Sequence, residues 1–180
     1  MTKRPGNARA HVDLADAWAQ TSAEFLAGSP QAVEAARQAA TEFRNVLILE
    51  PRVTHAIFGL GESLVRMGEP DQAEALYADE LPKHPEVAAE LLVERGTLRA
   101  RRGDLEDAKA DYLRATLLQR QNVQGHYFLA VVYQQMGDFM DAKVEFEKTL
   151  AISPKYRDAE QRLRAVQDAT PNTQTRGSEK

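Results

Sequence analysis

The 180-residue chain contains no cysteine, which removes disulfides, thiolate metal ligands and thiol nucleophiles together. Aromatic residues make up only 7% of it and β-branched residues are sparse, so little in it favours strands. Positive charge is not in excess: 23 Lys and Arg face 27 Asp and Glu, and a net charge of -4 supplies no field that would gather nucleic acid or anionic lipid. No apolar run approaches the roughly 20 residues of a membrane span. The basic residues of MTKRPGNARAHVDLADAW have no apolar stretch behind them, so no secretory signal is read there. These absences lead to the expectation of a cytoplasmic protein with no membrane insertion and no nucleic-acid partner. What is plentiful is Ala, Leu, Glu, Gln and Arg, side chains that lose little rotamer freedom in a helix, within a composition 43% hydrophobic and 28% charged. An all-α folded chain is the expectation.

GDLEDAKADYLRATL, from Gly103, is echoed by GDFMDAKVEFEKTLA, from Gly137, 34 residues later. Aligning on the glycines adds a third unit at Gly68, 35 residues earlier. Seven positions before each glycine stands a small residue (Gly61, Gly96, Ala130), and five after it an alanine (Ala73, Ala108, Ala142). An aromatic follows nine after it (Tyr77, Tyr112, Phe146), and a proline seventeen after it in two units (Pro85, Pro154), with Arg120 in the third. Ala39, Phe43, Val46 and Pro51 continue the pattern upstream as a degenerate unit. Each unit reads as helix, turn, helix: the glycine ends the first helix, the following Asp suits an N-cap, and the proline stops the second helix.

This joint spacing resembles the tetratricopeptide repeat, a helical hairpin of about 34 residues. The resemblance implies a right-handed α-solenoid of stacked antiparallel hairpins, because one hairpin alone leaves an apolar face that only the next can cover. The expected organisation is a flexible amino terminus (1–10), a degenerate repeat (11–53), repeats at 54–88, 89–122 and 123–156, a capping helix at 157–169 and a disordered tail (170–180). The capping helix carries Ala159, Leu163 and Val166 on one stripe. In the first helix Leu14, Trp18 and Phe25 share one face, which suits closure of the array or a homodimer contact, and the GSP at Gly28 to Pro30 supplies a break, an N-cap and an N1 proline.

The middle repeat places Arg95 and Arg99 where its neighbours have Leu60 and Leu64, or Leu129 and Tyr133, and the preceding repeat has Glu80 where the others have Ala115 and Thr149. The expectation is a partly buried pair of Glu80 with Arg95 or Arg99, the alternatives being outward-reaching arginines or an anion site made with Arg102.

Nothing suggests catalysis. His11, His55, His84 and His126 lack metal-ligand spacing, the GLG at Gly59 to Gly61 is mid-helix without a nucleotide motif, and Ser and Thr have no nearby base. No enzyme activity, metal or cofactor is expected.

In the family resembled, the first helix of each hairpin lines a groove that holds a partner peptide or helix. Carried over by position, that surface comprises His55, Phe58, Glu62, Val65 and Arg66, then Glu90, Val93, Glu94 and Arg101, then Gln124, Tyr127, Phe128, Val131 and Gln135. Phe58, Val65, Val93, Tyr127, Phe128 and Val131 form an expected apolar strip, with Glu62, Glu90 and Glu94 beside it; the matching partner is a protein segment with apolar anchors and a basic residue. The Lys and Asn clamp with which some members hold a terminal carboxylate is absent, Phe58, Glu62, Glu94, Gln124 and Phe128 standing at its places. A protein-interaction adaptor is the leading reading. The layout, including FGLG at Phe58 to Gly61, also resembles the small three-repeat chaperones of bacterial type III secretion translocators, and a fixed structural subunit is the third reading.

Overall fold

The computed structural model describes residues 7–169, and every regular element among them is helical. In order these are α1 (Ala8–Glu24), α2 (Pro30–Leu49), α3 (Thr54–Arg66), α4 (Pro70–Glu80), a 3-10 turn (Pro85–Val87), α5 (Ala88–Arg102), α6 (Leu105–Leu118), α7 (Val123–Met136), α8 (Phe139–Ile152) and α9 (Ala159–Ala169). The tail at 170–180 and most of the amino terminus lie outside the described residues, but residues 8–10 are not loose. They form the first turn of α1, which Asn7 opens by accepting a hydrogen bond from the Ala10 N–H. The chain divides into two compact units, Met1–Leu91 and Leu92–Lys180.

Three helices end alike. Gly68, Gly103 and Gly137 have φ of 81°, 96° and 85°, and the N–H of the next residue returns to a carbonyl five residues back, as from Asp138 to Tyr133 at 2.9 Å. A Cβ at these glycines would meet nothing within 4 Å, so backbone conformation and not space demands them. The aspartates that follow do not cap by side chain, against expectation: Asp104 and Asp138 have ψ near 65° and 62°, short of the extended backbone an N-cap side chain works from. Asp104 takes Arg102 Nε at 2.5 Å instead. Ser29 does cap, accepting from the Ala32 N–H at 3.2 Å with Pro30 as N1.

In the first unit α2 is the spine. Its buried alanines, Ala32, Ala35, Ala36, Ala39 and Ala40, admit α1 closely, and Phe43 and Val46 below them meet α3. From α1 the buried side chains are Ala8, Ala15 and Ser22, seven residues apart, with Ser22 Oγ donating to the Ala32 carbonyl at 2.8 Å. Leu14 and Trp18, four residues apart on α1, and Phe25, which follows its end in extended backbone, are instead 46%, 36% and 44% exposed. Small residues won the inner face because α2 offers only alanines there, leaving no hollow for large ones. The GLG of α3 has a physical reason on both sides. A Cβ at Gly59 would lie 2.2 Å from Phe43 of α2, and one at Gly61 would lie 2.1 Å from the Tyr77 hydroxyl of α4.

In the second unit Tyr112, Leu129, Ala130, Val132, Ala142 and Phe146 are buried between successive helices, and α9 packs on α8 through Ala159 and Val166, with Leu163 half-buried beside them. Two acids lie inside this unit, eight residues after their turn glycines: Asp111 and Glu145, 4% and 8% exposed. Arg95 grips Asp111 with both prongs, Nε at 2.9 Å and Nη2 at 2.5 Å, and Arg99 adds Nη1 at 3.0 Å. The carboxylate these arginines meet in their own unit is therefore Asp111, one the repeat pattern had not singled out. Glu80, within its own unit, takes His84 Nε2 at 3.2 Å and Lys83 Nζ at 3.1 Å.

Candidate partner-binding site

The expected groove residues meet different fates in the two units. On α3, His55 Nε2 lies 2.7 Å from Asp16 of α1, its ring set edge-on to Phe43 at 5.8 Å. Arg66 donates to the Ser22 carbonyl of α1 at 3.3 Å and to Glu62 at 3.3 Å. The first helix thus holds two of the five positions expected to face a partner. Phe58 and Val65 are half-buried, with Phe58 against Tyr77 at 6.4 Å, and Glu62 stays exposed. Glu90 is half-buried in the first turn of α5.

On α5 and α7 a pocket of about 400 Å³ is open. Glu94, Thr97, Ala100 and Arg101 of α5 form one wall, Gln124, Phe128, Val131 and Gln135 of α7 another, and Tyr112 of α6 lies between. Its volume falls within the roughly 300–1,000 Å³ range of small-ligand and side-chain sites. Tyr112 stacks on Phe128 at 5.7 Å and shares a hydrogen bond with Thr97 at 3.1 Å; burial pushes its hydroxyl pKa up to about 12, with Glu94 and Asp111 adding to the effect. The phenol therefore stays neutral at any physiological pH.

Two residues expected in the groove are not there to be touched. Val93 and Tyr127 are 1% and 5% exposed. Val93 is buried, and Tyr127 turns inward because the turn before α9 gives it partners: its hydroxyl donates to Asp158, and its ring meets Phe146 and Tyr156 edge-on at 6.0 and 5.3 Å. Burial raises the Tyr127 pKa, and the Asp158 contact raises it further. Burial would lift Asp158 too, but hydrogen bonds from Tyr127 and Arg162 hold it below the usual carboxylate range.

The residue that position-matching missed is Arg157. It comes from the turn before α9, outside any first helix, and its backbone has φ of 47°, the one left-handed residue other than glycine among the described residues. That conformation costs about 1–2 kcal/mol. It lays the guanidinium over Phe128, Tyr127 and Tyr156, at 4.8, 5.4 and 5.4 Å from the ring centres, so Arg157 joins the pocket lining. A cation within reach of an aromatic cluster is the signal, but sequence spacing does not bring Arg157 back across α7.

Among the described residues no three His, Cys, Asp or Glu side chains are grouped to hold a metal, and no helix is long and apolar enough to cross a membrane. All four histidines face carboxylates: besides His55 and His84, His11 meets Glu42 at 2.5 Å and His126 meets Glu145 at 2.6 Å.

The family model described as tetratricopeptide repeat matches residues 123–156, the hairpin α7–α8 with the loop that ends beside Arg157. Residues 123–156 form a tetratricopeptide repeat, and the chain has the fold of that repeat family. Solved structures share the repeat fold. A crystal structure of MamA is 22% identical with a TM-score of 0.65, covering 75% of this chain and 78% of that one. A second MamA crystal structure has the same identity and TM-score and covers 90% of this chain and 81% of that one. The NMR structure of the first tetratricopeptide-repeat domain of human RPAP3 is 20% identical with a TM-score of 0.61, covering 66% and 93%. No curated protein matches the sequence. Identities this low speak for the fold, an all-α tetratricopeptide-repeat solenoid, and this repeat fold is one that serves protein–protein interaction.

Proposed function

We propose that the chain is a non-catalytic cytoplasmic adaptor that holds a segment of a partner protein in the α5–α7 pocket. Its repeats would lie at 54–88, 89–122 and 123–156, after a degenerate one at 11–53 and before a cap at 157–169. One observation carries the reading. Four of the five groove positions of α7 line an open pocket, with Phe128 and Val131 half-exposed, whereas two of those on α3 are held by α1. An apolar surface left open beside polar groups is a common mark of a contact site. The test is capture from native cell extract by the wild type, by Phe128→Ala and by Ile48→Ala, an exposed control on α2, after each is shown to be helical. Loss of one specific protein from Phe128→Ala alone supports the pocket, and equal capture by all three removes it.

A second reading, a fixed subunit of a larger assembly or a chaperone that dimerises through its first helix, is favoured by the outward face of α1. Leu14, Trp18 and Phe25 are exposed there, and Leu26 at the helix end is 83% exposed. Sedimentation of the wild type and of Leu14→Ser with Trp18→Ser separates the readings. A concentration-dependent dimer lost in the variant supports the second, and two equal monomers remove the dimer.

A further inference from the structure

We propose that Arg157, together with Arg101, makes the α5–α7 pocket select a partner segment in which an Asp or Glu flanks the apolar anchor; this rests on the pocket being the docking site. The sequence expectation of a basic residue in the partner came from Glu62, Glu90 and Glu94. Of these only Glu94 lines the pocket, and two arginines line it with Glu94. Among the described residues neither arginine has a carboxylate within ion-pair reach. Its neighbours do: Arg95 and Arg99 have Asp111, Arg102 has Asp104, and Arg162 has Asp158.

Position adds to charge. The Arg157 guanidinium rests on the Phe128, Tyr127 and Tyr156 rings at 4.8–5.4 Å. A guanidinium held against aromatic rings still has N–H donors to offer a carboxylate, and because the rings already hold it, less freedom is lost when the carboxylate arrives. Phe128 is also the apolar wall on which a partner's anchor would sit. Anchor and acid are therefore read side by side, by one aromatic ring and the cation lying on it. A basic residue at that place would meet two like charges.

The test is a displayed library of random twelve-residue peptides, selected in parallel on the full-length wild type, Arg157→Glu, Arg157→Gly and Phe128→Ala. Arg157→Gly suits the φ of 47° and guards against misfolding. The wild type is expected to enrich peptides with an apolar anchor beside Asp or Glu, and Arg157→Glu to shift the enrichment toward Lys and Arg. The enriched acidic peptide should bind Arg157→Gly about tenfold more weakly, by loss of a charge-assisted pair. Apolar anchors without charge preference, or undiminished binding to Arg157→Gly, would overturn the proposal and leave the docking site standing. Identical enrichment on Phe128→Ala and the wild type, or no enrichment on either, would remove the docking site and the proposal with it.

Discussion

Helices α3 and α7 occupy the same place in their hairpins, yet α3 gives two of its groove positions to α1 while α7 keeps four of its five beside an open pocket. The difference does not lie in the matched positions. It lies in what the chain packs beside each one: Asp16 and Ser22 of the first helix meet His55 and Arg66, whereas a left-handed turn before α9 sends Arg157 over α7 without filling the space. A repeat fixes where a groove position points, and the segments flanking the repeats decide what it meets.

The strongest way to break the contrast is to undo the wall of the open side. Asp111→Ala leaves Arg95 and Arg99 without the buried carboxylate that binds α5 to α6, and should cost about 3–5 kcal/mol in urea unfolding. An effect below about 1 kcal/mol would mean water replaces the pairing at little cost. Next comes the small residue that lets each hairpin close. Gly61→Ala would push a methyl into Tyr77 and should cost about 1–3 kcal/mol. Ala130→Gly, at the matching place in the third repeat, loses only about 0.5–1 kcal/mol of helix preference. If the two cost the same, the close approach of Tyr77 is not what demands glycine.

A third prediction uses pH. Burial alone would raise the Glu145 pKa, but hydrogen bonds from His126 and Lys148 outweigh it and leave the pKa lowered from 4.5. Its ionised contribution is present above pH 4.5 and is lost as pH falls below it through the folded-state value. Glu145→Gln should therefore lose less stability than the wild type between pH 5 and pH 3, with about 1–3 kcal/mol lost at neutral pH. Parallel acid limbs in denaturant titrations would contradict it. The smallest effect belongs to the contact between α1 and α3. Asp16 and His55 are about half-exposed, so Asp16→Ala should change global stability by less than about 1 kcal/mol. It should still speed amide exchange in α1, and unchanged exchange would show that this contact does not hold the helix.

Much of this architecture was legible because its causes are local. Gly68, Gly103 and Gly137 mark positive φ, Ala73, Ala108 and Ala142 mark close contact, and Tyr77, Tyr112 and Phe146 fill the hairpins. The site was legible only in part. Phe128, Val131, Gln124, Gln135, Glu94 and Arg101 line one pocket, whatever it holds. Tyr127 and Val93 could not be sorted from them by position, because whether such a residue is buried depends on α9 and on neighbouring side chains. Asp111 was hidden differently: an acid at that place reads as a solvated face until Arg95 and Arg99 are seen to converge on it. Glu145, at the same place in the next repeat, was the one clue within the sequence.

The outward face of α1 carries the chain's single tryptophan, Trp18, 36% exposed, while the α5–α7 pocket is lined by Tyr112 and Phe128. The molecule is thus spectroscopically partitioned. Indole emission reports what covers the first helix, whereas a ligand held between α5 and α7 meets a tyrosine and a phenylalanine.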